Sequence, residues 1–284
     1  MIGVMFDRDR APEELPGFAR ELEAEDVDQL WVVEDLGWGG AIAAAATALA
    51  ATARITVGIG IVPARFRNAA LLAMELATLE RLYPGRLIAG IGHGVGPWMH
   101  QVGAAVASPL TALEETFVGV RALLSGDLVQ MSGRYVTLDG IRLVHPPVTV
   151  TPLLAGVMNP KSLQLSGQVS DGTILPEGTG PESLSAALLQ IRASRPHQLV
   201  VLTHLFIDGD PEKVRMVTAP IRTEFSAVHA ISEQQVFLAA GTDSEAATAI
   251  SSLRSAGADC VVLRPVGAEP MPMVRLALRA LGRR

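Results

Sequence analysis

Eight times along this chain a short, near-continuous apolar run is followed by a stretch with helical spacing, and few folds accept that alternation. The apolar runs are Ile2 to Phe6, Leu30 to Val33, Ile55 to Val62, 87–92, Leu153 to Ala155, Thr173 to Leu175, Leu199 to Ile207 and 260–263. The helical stretches are expected over 13–25, 41–53, 68–82 and 109–124, from about 160 and 181, after 207, and over 271–282. Strands that are apolar on both faces must be covered on both faces, which is the condition of a parallel sheet wrapped by its own crossover helices. The expected fold is therefore α/β, a (β/α)8 TIM barrel. One segment breaks the alternation. Residues 125–147 hold short alternating runs between Gly126-Asp127, Ser132-Gly133 and Asp139-Gly140 turns, so a β-hairpin insertion is expected after the fourth βα unit. At 284 residues the chain suits one such domain spanning 1–284.

Composition narrows the function. Formal net charge is −6, and the cationic groups are arginines scattered along the chain with lysine only at Lys161 and Lys213. A basic face for nucleic acid is not expected. The amino terminus turns acidic within its first residues and lacks the apolar core of a secretory signal, and the alanine-rich run 41–53 is too short to cross a bilayer before Arg54. A cytoplasmic protein with no membrane partner is expected. The one cysteine, Cys260, lies in an apolar run and reads as a buried strand thiol.

Active sites of such barrels form at the carboxyl ends of the strands. Those ends carry Asp7, Glu34, Asp35, Pro63 to Arg67, His93, Met158, Asn159, Glu177, His204, Asp208 and Arg264. Carboxylates and a histidine around one mouth suit acid–base chemistry, and helix capping is the alternative for Asp35 and Asn159. His204, inside an apolar strand, is expected as a hydrogen-bonded barrel histidine. The fourth run ends in Gly90-Ile91-Gly92-His93-Gly94-Val95-Gly96-Pro97-Trp98, a strand-to-helix turn whose bare backbone N–H groups suit an anion, or which is simply tight. It lacks the glycine spacing of a dinucleotide fingerprint. The six histidines form no close pair, so no metal site is expected. With neither a nucleophile elbow nor a strand lysine, an enzyme built this way needs an organic cofactor to carry the reaction.

Several stretches, in order, resemble the luciferase-like flavin and deazaflavin oxidoreductases. They are Leu30 to Asp35, Gly58 to Pro63 with Arg65 and Arg67, Leu82-Tyr83-Pro84-Gly85-Arg86 followed by Gly90 to Gly94, Pro152 to Gly156, Asn159-Pro160-Lys161, and Asp171-Gly172. The resemblance implies coenzyme F420 as cofactor, with FMN as the alternative. It assigns cofactor contacts to Asp35, Gly60, Ile61, Gly92, His93, Gly94, Gly156, Val157, Met158, Asn159, Pro160 and Lys161. It also implies a cis peptide between Gly60 and Ile61, at a bulge that backs the deazaflavin ring. Asp35, Glu177 and His93 are the catalytic candidates, Asp35 first.

Two departures matter. Sugar-phosphate dehydrogenases of this branch place a histidine after the aspartate of the second strand and a glutamate after the third glycine of the loop, where this chain has Leu36 and Val95. Their acid–base pair is missing. The resemblance then implies hydride transfer between deazaflavin and a small organic substrate, an activated C=C or C=N bond or a pterin-like C1 carrier. An FMN-dependent monooxygenase served by a flavin reductase, and a non-catalytic flavin-binding barrel, are the alternatives. A homodimer is left open. Trp38, Trp98, Met99 and Met158 are expected near the ring, with Arg65, Arg67 and Lys161 supplying charge to an anionic tail.

Overall fold

The structure, a computed structural model, describes residues 1–283. Strands β1 (Ile2–Met5), β2 (Gln29–Val32), β3 (Thr56–Pro63) and β4 (Leu87–Gly92) are followed by an antiparallel hairpin of β5 (Val129–Ser132) and β6 (Thr137–Ile141). Then come β7 (Leu153–Gly156), β8 (Gly172–Leu175), β9 (Gln198–Ile207), β10 (Ala239–Gly241) and β11 (Cys260–Pro265). β1, β2, β3, β4, β7, β8, β9 and β11 pair in that order, all parallel, and β11 returns to β1. This is the expected closed (β/α)8 barrel with its hairpin set aside as a separate sheet. β10 was not expected: its three residues, Ala239-Ala240-Gly241, are too short a run to signal a strand, and they extend the end of β9 by pairing with Leu205–Ile207.

The helices are α1 (Leu15–Ala24), α2 (Ala41–Ala51), α3 (Ala69–Leu82), α4 (Gly96–Gln101), α5 (Pro109–Leu124), α6 (Pro160–Val169), α7 (Pro181–Ile191), α8 (Pro211–His229), α9 (Asp243–Ser255) and α10 (Pro270–Ala280). Their starts are written in the sequence. Pro97, Pro109, Pro160, Pro181, Pro211 and Pro270 each lie in a first turn, where proline's fixed φ suits the helix and its missing N–H is not needed. Asn68 caps α3 by accepting from Leu71 N–H at 2.7 Å.

The strands alternate between two cores. Outward residues pack against the helices in one large cluster; inward residues, among them Met5, Trp31, Ile88, Leu154, Ile174, Val200, Leu202 and Val262, fill the barrel. Glycines decide what fits there. An ideal Cβ on Gly3, Gly58 or Gly60 would stand 2.9, 2.4 or 3.1 Å from the fully buried ring of Trp31, so the indole occupies space that three side chains would otherwise take. Its Nε1 donates to Gln29 Oε1 at 2.9 Å, which satisfies the ring's one polar atom. Cys260, as expected, is fully buried; its thiol donates to the same oxygen at 3.1 Å, and burial pushes it up to about 12.

The same device repeats above Trp31. The β3–β4 register shifts between Ile59 and Val62, and the Gly60–Ile61 peptide is cis, as the resemblance implies. Ile61 projects over the neighbouring strands. A Cβ on Gly90, Gly92 or Gly156 would lie 3.1, 3.0 or 2.4 Å from its side-chain carbons. At Gly90 and Gly92 the Ile59 and Gly156 carbonyl oxygens stand nearer still, at 2.3 and 2.8 Å, so these two glycines serve close strand packing as well as Ile61. Gly94 serves the turn, with φ at +72° and Met99 and Pro63 within 3.0 Å of any added Cβ.

Replacing Gly156 with alanine is expected to destabilise the fold by roughly 1–3 kcal/mol through overpacking. Adding Ile61→Ala should recover most of that loss, since the offending carbon is then gone. Denaturant unfolding of both single variants and the double variant checks the coupling; strictly additive losses would contradict the packing described.

Candidate functional site

A cavity of about 410 Å³ opens at the carboxyl ends of the barrel strands. Its apolar floor and walls are Ile61, Pro63, Val95, Trp98, Val157, Met158, Ile174, Pro176 and Leu202. Residues from six successive strand ends meet here, because the inward alternation stops where the strands stop and the loops turn over the barrel. Asp35, His93 and Glu177 all line the cavity, as do Gly60, Ile61, Gly94, Gly156, Val157, Met158 and Asn159. Gly92 lies just beneath, buried at the end of β4, while Pro160 and Lys161 open α6 on the exposed side and do not line it. Trp98 and Met158 reach the cavity. Trp38 stands outside it, 6.2 Å from Trp98 between ring centroids, and Met99 packs beneath Gly94.

Each carboxylate of the cavity is held by a guanidinium from another loop. Asp35 Oδ2 accepts from Arg8 Nη1 at 2.5 Å, and the same Arg8 stacks 4.4 Å over Trp38. Glu34 takes two bonds from Arg67, at 2.7 and 2.8 Å, and Arg67 also reaches Glu75 at 3.1 Å. Glu177 accepts from Arg264 Nη1 at 3.2 Å, and Arg264 Nε donates to Asp7 at 2.8 Å. Although burial opposes it, Arg264 holds Asp7 below the usual carboxylate range, helped by the Asp9 backbone N–H. Such planar, two-pronged pairs fix geometry as well as charge. Arg67 is thus committed to Glu34 and Glu75, and Arg65 donates to the Tyr135 carbonyl at 3.0 Å. Arg8 was missed from the sequence, where nothing but its place beside Asp7 marks it.

The histidines divide. His93 Nε2 is hydrogen-bonded to Ser162 Oγ at 3.0 Å, tying the glycine loop to the first turn of α6, and burial holds the ring below its ordinary range. The Pro109 backbone also bonds to the ring and works against that lowering. His204 differs from expectation: it lies beneath Glu177 and Arg264 with its ring edge on Phe225, 5.2 Å between centroids, and its Nδ1 lacks a partner. Burial lowers it to about 4. Glu177 is positioned from a third side, its backbone carbonyl accepting from His229 Nε2 at 2.6 Å.

An anion can be held beside this cavity. Bonding within α6 starts with Leu163 N–H donating to the Asn159 carbonyl, so the N–H groups of Lys161 and Ser162 remain outside the helical ladder. They carry the positive end of the helix dipole, with the Lys161 ammonium next to them.

The family model for luciferase-like monooxygenases matches residues 3–259, and the chain belongs to that family. A 5,10-methylenetetrahydromethanopterin reductase of Methanolobus tindarius is 28% identical over 176 residues, 62% of this chain and 53% of the relative. An F420-dependent glucose-6-phosphate dehydrogenase of Nakamurella multipartita is 28% identical over 160 residues, 54% of this chain and 45% of the relative. The matched part thus spans about half the length of these relatives. The solved F420-dependent tetrahydromethanopterin reductase of Methanopyrus kandleri superposes with a TM-score of 0.85 over 97% of this chain and 96% of its own, at 20% identity, and so shares the fold. Among the described residues no helix is long and apolar enough to cross a membrane.

A histidine whose folded pKa lies below its unfolded value leaves stability untouched above pH 6.5 and removes it as the pH falls toward 4, because the unfolded chain then takes up a proton that the folded one refuses. For His204 the loss amounts to about 3 kcal/mol across that window. Replacing His204 with glutamine should flatten this part of the stability profile. Urea unfolding at a series of pH values tests it, and an equally steep acid loss in the variant would remove His204 as its source.

Proposed function

We propose that this protein is an F420-dependent oxidoreductase that moves a hydride between deazaflavin and a small organic acceptor, an activated C=C or C=N bond or a pterin-like C1 carrier. One observation carries the reading: a single cavity gathers Gly60, Ile61, His93, Gly94 and the run Gly156 to Asn159, all of them assigned to the cofactor from the sequence. Two of the relatives carry F420 in their names, and the methanopterin reductases act on a C1 carrier by name.

The residues present fit the group. The glycines leave the cavity floor to the Ile61 side chain, an apolar surface suited to one face of a flat tricyclic ring. The free Lys161 and Ser162 N–H groups suit the phosphate of the cofactor tail, with Asn159 and Met158 at the turn between ring and tail. His93, tied to Ser162, holds the two loops at a fixed spacing. When bound and reduced, deazaflavin supplies a hydride. The apolar walls, Trp98 among them, keep water from the reacting carbon, and Asp35 and Glu177 set the charge that the acceptor meets.

F420 is expected to bind with a dissociation constant in the micromolar range or tighter, about −8 kcal/mol, and FMN at least tenfold more weakly. Fluorescence titration of both cofactors decides it. Tighter binding of FMN, with oxygen consumed once it is reduced, would instead indicate a monooxygenase.

A further inference from the structure

The cavity's polar lining is one-sided. Among the described residues, Glu34, Asp35 and Glu177 are its acids, His93 is its one basic side chain, and no lysine or arginine lines it. The guanidinium groups of Arg8, Arg67 and Arg264 hold these carboxylates, and none of them is among the lining residues. A ligand inside therefore meets carboxyl groups, whose oxygens attract positive charge, beside the indole of Trp98, and finds no cation among the lining residues to receive a phosphate or carboxylate. A second property follows from the same pairs. Each of the three carboxyl groups accepts from a guanidinium, so each presents acceptor oxygens rather than a donor to the cavity. His93 is engaged by Ser162, and His204 is buried and is not among the lining residues.

We infer that the acceptor reduced in this cavity is a cation, a C=N⁺ group of an iminium or protonated imine, selected by the paired carboxylates and needing no proton from the protein. The inference rests on the oxidoreductase reading above and narrows its substrate. In the step, the acceptor carbon takes the hydride from reduced deazaflavin and forms a C–H bond. The C=N π pair passes to nitrogen, which becomes a neutral amine, and the proton left on the reoxidised ring goes to solvent. A neutral enone would leave an enolate that must be protonated, for which the lining holds no donor. A sugar phosphate would bring an anion to a wall of carboxylates.

The test has a binding arm and a turnover arm. With the protein saturated in oxidised F420, isothermal titration compares N-methyl-3,4-dihydroisoquinolinium with its uncharged isostere 3-methyl-1,2-dihydronaphthalene and with 1-naphthoate. The cation should bind at least tenfold more tightly than the neutral ring, and the anion should not bind measurably. Glu177→Gln should weaken the cation several-fold and leave the neutral ring unchanged. With reduced F420, the iminium should be reduced at least a hundredfold faster, by kcat/KM, than 2-cyclohexenone. Equal binding of cation and neutral ring, or an enone reduced as fast as the iminium, overturns the inference alone. Failure of F420 to bind in the preceding fluorescence titration overturns the oxidoreductase reading and the inference with it.

Discussion

Everything at the mouth of this barrel depends on two large side chains occupying room that six glycines leave open. Trp31 takes the space of Gly3, Gly58 and Gly60, and Ile61 that of Gly90, Gly92 and Gly156. Barrel interiors are filled in layers by side chains from alternate strands, so an oversized side chain needs small neighbours. Here the bulk is concentrated in Trp31 and Ile61 and the glycines yield to it. Ile61 sits at the upper limit of this filling, half-buried, so its side chain is at once the lid of the core and the floor of the cavity. Packing and binding surface are one feature.

Above that floor the loops are joined by charge. Arg8 after β1 holds Asp35 after β2, Arg67 after β3 holds Glu34 after β2, and Arg264 in β11 joins Asp7 after β1 to Glu177 after β8. Partly buried pairs of this kind add little net stability against desolvation, but a lost partner leaves a charge uncompensated, so they hold loops at set distances. His93 with Ser162 does the same for the loops after β4 and β7. The result is a mouth whose acids are fixed in place by guanidinium groups and whose unpaired backbone N–H groups lie to one side, at the start of α6.

Most of the fold was legible in the sequence, because each barrel strand is an apolar run and seven helices, α1 with Pro16 included, carry proline in the first turn. β10 was not, since Ala239-Ala240-Gly241 pairs only by being laid against a longer β9. Of the site, the residues close in sequence to a strand end were legible: Asp35, His93, Glu177 and the 156–159 turn all reach the cavity. What stayed hidden was pairing across the mouth. The sequence does not say that Arg8 reaches Asp35 or that Arg67 spends its charge on Glu34, because those contacts join segments 27 and 33 residues apart. The glycine loop shows the same limit. Its spacing suggested an anion cradle, while Gly90 and Gly92 answer to neighbouring strand backbone and to the Ile61 side chain.

A crystal structure of the complex with F420 tests the account's central claim most directly. The account predicts the deazaflavin ring against Ile61, between Trp98 and Glu177, with the tail phosphate within hydrogen-bonding distance of the Lys161 and Ser162 backbone N–H groups. A ring seated away from Ile61, or a phosphate directed away from the start of α6, would contradict it.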